Sequence, residues 1–168
     1  MTRLGVIIAT LLVVLTASKA ALAEGAVAAA EVGLGTGFEA GDPGTGTTTF
    51  HRARTRLFVG ADLRLTDNKI ERLGLMAFGD IEPHTGLGGS ARYLHFLGAH
   101  AVGFVGVTGA LAPHTLFGGE AGLKFVIGGG DTKFFVEPSF AVLPLGTDLP
   151  TDRVLLWALL GFGIHVEL

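Results

Sequence analysis

The stretch Phe50-His51-Arg52-Ala53-Arg54-Thr55-Arg56-Leu57-Phe58-Val59-Gly60-Ala61-Asp62-Leu63-Arg64-Leu65 decides the fold. Leu57, Val59, Ala61, Leu63 and Leu65 occupy every second position on one face, and Arg52, Arg54, Arg56, Asp62 and Arg64 occupy the other. A period of two separates these sets onto opposite faces of a strand; on a helix three arginines at i, i+2 and i+4 fan around the axis. The segment from Phe50 to Leu65 therefore predicts a strand with one apolar and one charged face.

The same alternation recurs on both sides. A first strand over about Ala28 to Ala40 sets Val32, Leu34, Thr36 and Phe38 against Glu31, Gly33, Gly35, Gly37 and Glu39. A third, about Glu71 to Ile81, sets Leu73, Leu75 and Ala77 against Arg72, Gly74, Met76, Phe78 and Asp80. Further strands are expected near Gly89 to Leu97, Ala99 to Leu111, Gly119 to Ile127 and Lys133 to Leu143, and an eighth from Val154 to Leu168. The 26 glycines after residue 23 also disfavour helices. Eight strands in sequence predict an all-β, antiparallel, up-and-down barrel.

Turn residues fall where a meander needs them, at Thr66-Asp67-Asn68-Lys69 and at Gly128-Gly129-Gly130-Asp131-Thr132. The opposite ends carry longer connections, Gly41 to Thr49 and Gly146 to Arg153. An internal repeat supports the hairpins: Gly79–Gly98 matches Gly109–Gly128 at an offset of 30, with Pro83-His84-Thr85 against Pro113-His114-Thr115. It puts Ala91, Tyr93, His95 and Leu97 on the same face as Ala121, Leu123, Phe125 and Ile127. Pro138 cannot donate to a ladder, so a bulge or irregular register is expected there.

Composition indicates where such a barrel resides. Hydrophobic residues make up 49% of the 168 and charged residues only 16%, too few charges for an ordinary water-facing surface. Residues 1–23 read as a cleaved signal peptide, with Arg3, an apolar run Leu4 to Leu15, and Ala21-Leu22-Ala23 before the cut. The run is too short to span a bilayer as a helix. The barrel domain then comprises residues 24–168, whose ten basic and fifteen acidic residues give a net charge of −5. That balance gives no support for nucleic-acid binding, and the lack of cysteine means disulfides do not hold the exported chain.

Alternation alone leaves open which face is outside, so a soluble barrel with an apolar lumen stands beside a membrane barrel. The charges separate the two. Seven basic residues, Arg52, Arg54, Arg56, Arg64, Arg72, Arg92 and Lys124, fall on the polar faces with seven acidic ones, Glu31, Glu39, Asp62, Asp80, Glu120, Glu137 and Glu167. None lies mid-strand on an apolar face, where a basic residue toward lipid costs about 2 to 4 kcal/mol. Interspersed glycines fit a narrow lumen that must make room for long charged side chains. Equal numbers of each sign predict a salt-bridged, occluded lumen; an ion channel favours a ring of one sign. Because hydrocarbon tolerates no open sheet edge, the eighth strand must pair with the first.

With these features the chain resembles the small outer-membrane barrels of the OmpA-like and OmpX-like group over essentially all of residues 24–168. The resemblance rests on the signal peptide, the strand count, the loop asymmetry and the apolar last strand, and no diagnostic motif is shared. It implies a transmembrane barrel in the outer membrane of a Gram-negative bacterium, in contact with lipid and lipopolysaccharide. It further implies that the last strand is a signal for the barrel-assembly machinery, carried here by Phe162, Ile164, Val166 and Leu168. Leu168 stands where that group usually ends in an aromatic residue. A monomer with a structural or surface-interaction role and no cofactor is the expectation, and no catalytic role.

Other readings of particular residues remain. Phe58, Phe78, Phe96, Trp157 and Leu159 point inward and either fill the lumen or line a path for small apolar solutes. Some eight-stranded barrels modify lipid A, and Ser139, His165 and a glutamate offer the residue types for such a site. His84 and His114 either meet to bind a metal or are merely the products of a duplicated hairpin. Tyr93 and His95 suit an interfacial anchor near the turn rim.

Overall fold

A computed structural model describes residues 28–42, 49–65, 70–82, 84–146 and 154–168. The expected signal peptide and cleavage site, and the expected turn at Thr66 to Lys69, lie outside the described residues. Eight strands follow in order: β1 (Ala28–Asp42), β2 (Thr49–Arg64), β3 (Glu71–Glu82), β4 (Gly86–Phe96), β5 (Ala101–Ala112), β6 (Leu116–Ile127), β7 (Thr132–Gly146) and β8 (Val154–Glu167). Each pairs antiparallel with its sequence neighbour, and β8 closes on β1 from Ala29 opposite Glu167 to Asp42 opposite Val154. No sheet edge is left. The chain is a closed, eight-stranded, all-antiparallel β-barrel.

With an even number of strands, the start of β1 and the end of β8 share one rim with the β2–β3, β4–β5 and β6–β7 turns; this is the turn rim, and the opposite end is the loop rim. Gly128 (φ 116°) and Gly130 (φ 80°) adopt backbone conformations that other residues rarely take, which accounts for the glycine run at the β6–β7 turn.

Two expectations need correction. Both β4 and β6 begin three residues earlier than alternation suggests, at Gly86 and Leu116. The β3–β4 and β5–β6 connections at the loop rim are therefore three residues each, 83–85 and 113–115, and the expected length asymmetry between rims does not extend to them. Continued pairing, such as Asp80 with Gly86 and Ala110 with Leu116, satisfies backbone groups that a longer loop would leave to solvent. The corrected starts still differ by 30 residues, so the repeat extends to strand boundaries.

Pro138 causes no bulge. It pairs with Leu160 of β8 in an unshifted register, and toward β6 the register is the same at Gly122–Ser139 and Phe125–Val136 on either side of it. One missing donor costs a local hydrogen bond without displacing the strand. The register shifts lie instead at Glu39/Ala40, Thr55/Arg56, Leu87/Gly88 and Phe117/Gly119, all toward the loop rim.

The two faces differ as the alternation requires. Outside, apolar side chains are open, with Val105 57% and Phe134 65% exposed; inside, Trp157 is 1% and Lys124 2% exposed. Leu160, Phe162, Ile164 and Leu168 face outward at the end of the chain, as do Tyr93 and His95.

Candidate functional site: the lumen and its loop-side mouth

The interior is built from alternate residues of all eight strands. Four phenylalanines on its wall each lie directly opposite a glycine on the neighbouring strand: Phe58 opposite Gly33, Phe78 opposite Gly88, Phe104 opposite Gly122, and Phe135 opposite Gly163. A Cβ added to Gly33 would stand 2.5 Å from Phe58 Cζ, and one on Gly122 2.5 Å from Phe104 Cζ. These glycines make room for rings that lie flat against the wall, rather than for the long charged side chains that the sequence suggests. Gly74 makes room for an apolar and a charged side chain alike, since its Cβ would come 2.7 Å from Leu94 Cδ1 and 3.0 Å from Asp62 Oδ1.

The charged residues stack in three layers over these rings. Toward the loop rim, Glu39 accepts from Arg52 Nε at 3.1 Å, from Arg54 Nη2 and from Trp157 Nε1 at 2.9 Å. Asp80 accepts from Arg54 Nη1 and from Arg56 Nε at 2.9 Å. The Arg54 guanidinium sits 4.3 Å from the Trp157 ring centroid, and that of Arg56 3.5 Å from Phe78. Stacking on aromatic faces adds to the ion pairing and fixes each planar fork.

In the middle layer, Arg92 donates to Glu120 Oε1 at 2.6 Å and to Glu137 Oε1 at 2.7 Å. Lys124 Nζ lies 2.5 Å from Glu31, 3.5 Å from Glu137 and 3.8 Å from Asp62. Toward the turn rim, Glu167 meets Lys133 at 2.8 Å, Arg72 at 3.8 Å and His165 at 3.9 Å, and His165 Nδ1 contacts Glu31 at 2.8 Å. Arg72 lies 4.9 Å from the Phe96 centroid.

The structure thus brings Glu31, Glu39, Arg52, Arg54, Arg56, Asp62, Arg72, Asp80, Arg92, Glu120, Lys124, Glu137 and Glu167 into contact with an opposite charge. Arg64 is different: it stands opposite Arg72 across the β2–β3 ladder, and its Nε has no hydrogen-bond partner. Three participants escaped sequence reasoning as members of this network, namely Lys133, His165 and the Trp157 indole. The signal for His165 was its place two residues before Glu167, on the same face. Lys133 required the register, which sets it opposite His165.

Phe58, Phe78 and Trp157 are buried in one apolar cluster with Leu159 packed against it, and Phe96 packs against a second with Leu94, Val102 and Phe104. They fill the space between the charged layers. Ser139 lies opposite Leu159, whereas His165 lies opposite Lys133. Six residues along a strand is roughly 20 Å, so Ser139 and His165 do not meet.

Glu31, Asp62 and His165 have potential ligand atoms within 4.8 Å of one another. The ammonium of Lys124, in contact with both carboxylates, already supplies the positive charge a metal would bring. At the loop rim, His84 and His114 line one cleft of about 50 Å³ together with Glu39, Arg52, Arg54 and Asp80. His84 Nε2 is 2.7 Å from Arg52 Nη1. A guanidinium only donates, so this nitrogen accepts and its lone pair is committed to Arg52.

No family model matches the chain, and no curated protein sequence matches it. Among solved structures it is similar to a chain described under "De novo design of transmembrane beta-barrels", at 10% identity and a TM-score of 0.49, covering 88% of this chain and 98% of that one.

Proposed function

We propose that this chain is an outer-membrane barrel of the OmpA-like and OmpX-like kind, exported with loss of residues 1–23, with a structural or surface-interaction role and a closed lumen. The observation that carries the reading is the inversion of polarity: apolar residues outside, ion pairs inside. A soluble barrel with an apolar cavity requires the opposite arrangement, and exposed apolar surface on this scale marks contact with lipid or another protein. A twelve-residue strand such as β3, at about 3.3 Å per residue and tilted about 40°, rises about 30 Å. That suffices for the apolar band of about 25 Å in outer-membrane barrels.

The outward row Phe162, Ile164, Val166 and Leu168 supports a role as assembly signal, since it ends the strand that closes the barrel. The interior supports a plug rather than a conduit. Arg92 and Lys124, both buried, tie residues of β1, β2, β4, β6 and β7 together across the middle. We assign no cofactor, no catalytic role and a monomeric state to this barrel, with lipid and lipopolysaccharide as its surroundings.

Fractionation tests location and fold together. The expected result is recovery in the outer-membrane fraction with heat-modifiable gel mobility, and silent planar bilayers after reconstitution. Recovery as a soluble periplasmic protein would overturn the membrane reading, and steady conductance would overturn the closed lumen.

A further inference from the structure

We propose that Arg52 and His84 form an acid-released latch across the loop-side cleft. The contact joins two walls. Arg52 leaves β2, sets its Nε on Glu39 of β1 at 3.1 Å, and brings its Nη1 to 2.7 Å from His84 Nε2 in the β3–β4 connection. It is the outermost arginine of its layer: its side chain is 39% exposed, against 8% for Arg54, and the Glu39 that both hold is 2% exposed.

The chemistry of the contact fixes the state of the ring. A guanidinium nitrogen only donates, so Nε2 must offer its lone pair and the ring proton sits on Nδ1. An imidazolium carries N–H on both nitrogens and accepts nothing. Protonation of the ring therefore replaces a hydrogen bond with two like charges in contact, which repel. Arginine stays charged throughout, so the ring alone decides whether the latch is made.

Among the described residues, the ionisable groups that line the cleft with His84 are Glu39 of β1, Arg52 and Arg54 of β2, Asp80 of β3 and His114 of the β5–β6 connection. Glu82, two residues before His84, accepts instead from Thr55 Oγ1 at 3.5 Å. With neutral rings the two arginines balance the two carboxylates. His114 occupies the position of His84 in the second copy of the repeated hairpin, so acid adds two charges of one sign to the same cleft, and both oppose Arg52. Imidazoles change charge between about pH 5 and 8; the latch is made above that window and released as pH falls through it. Arg52 then keeps Glu39 but loses the hairpin, and water gains access to the layer of Glu39 and Trp157. The pairs of Arg92 and Lys124 involve neither Arg52 nor His84, so release opens the cleft and leaves the middle of the lumen closed.

The test uses the full folded chain in nonionic detergent, taken down through the window of about pH 8 to 5 in which imidazoles titrate. Nitrogen NMR of labelled histidine reads which ring nitrogen of His84 holds the proton. Trp157 is the single tryptophan, 1% exposed, with its indole Nε1 donating to Glu39 at 2.9 Å; quenching of its fluorescence by uncharged acrylamide reads access to the layer under the latch. At the upper pH, His84 is expected to hold its proton on Nδ1. On acidification the ring gains its second proton and Trp157 quenching rises in the same step. His84→Gln, which does not titrate, abolishes the step, and Arg52→Gln shows acid-level quenching at every pH. His95→Gln, outward at the other rim, keeps the step. Heat-modifiable mobility reports that each variant is folded. A proton on Nε2 of His84 at the upper pH, flat quenching in the unmodified chain, or an undiminished step in folded His84→Gln or Arg52→Gln would overturn the proposal.

Discussion

Lys124→Met tests whether the middle layer holds the lumen together. The ammonium is 2% exposed and is the one cation within 4 Å of Asp62 among the described residues; it also contacts Glu31 and Glu137. Glu137 keeps Arg92 at 2.7 Å and Glu31 keeps His165 at 2.8 Å, but Asp62 keeps neither. Methionine preserves most of the volume, so the change removes charge rather than packing. Breaking a buried pair from one side costs about 3 to 5 kcal/mol, because the remaining charge stays desolvated. Lys124→Met should lose that much in urea titrations of the barrel in lipid vesicles, followed by gel mobility and circular dichroism. Adding Asp62→Asn removes the stranded carboxylate and should restore at least about 1 kcal/mol, a coupling typical of residues in one network. A loss below about 1 kcal/mol for the single variant, or a double variant no more stable than it, would refute the reasoning.

Gly122→Ala places a methyl 2.5 Å from Phe104 Cζ and 2.6 Å from the Pro138 carbonyl oxygen; overpacking of this kind should cost about 1 to 3 kcal/mol in the same titration, and a neutral result would mean the ring and wall are not as close as described. Val105→Arg puts a charge at the middle of the outward face of β5 and should cost about 2 to 4 kcal/mol in a bilayer, whereas a neutral change would indicate that this face meets water. Leu168→Phe should raise the fraction assembled into the membrane in cells, and Phe162→Ser should lower it, measured as the heat-modifiable form; no response from either would remove the last strand as an assembly signal.

The barrel was legible because period-two alternation survives in every strand, and the charges of β2 mark the inner face without help from structure. Register was legible only where a repeat transferred it, from β6 to β4. Cross-strand neighbours were not. The pairing of Phe58 with Gly33, or Phe104 with Gly122, joins residues 25 and 18 positions apart in the chain, and no local pattern distinguishes a glycine under a ring from a glycine beside an arginine. The same limit hid Lys133, which has a turn-like sequence context yet pairs with Glu167, and it hid the placement of Arg64 directly across from Arg72. The strand starts at Gly86 and Leu116 are not marked locally, because turn-like residues precede them and it is the length of the neighbouring strands that keeps them paired.

Where the polar atoms lack partners says how the plug is organised. Buried ion pairs are weak evidence for stability, since replacing them with apolar residues is often harmless, and a barrel of this width has room for an apolar filling. The charges here run as a chain through the lumen. In its middle, Arg92 has each of its three guanidinium nitrogens on a carboxylate and Lys124 touches three. Among the described residues, the buried arginine nitrogens without hydrogen-bond partners belong to Arg54 near the loop rim and to Arg64 and Arg72 near the turn rim, while in the middle Glu137 Oε2 and Ser90 Oγ lack one. The ion pairs of Arg92 and Lys124 in the middle oppose passage, because any solute moving through must separate buried charges. The unpartnered arginine nitrogens toward the two mouths are themselves buried, so they carry a desolvation cost that Arg92 and Lys124, set on their carboxylates, largely avoid.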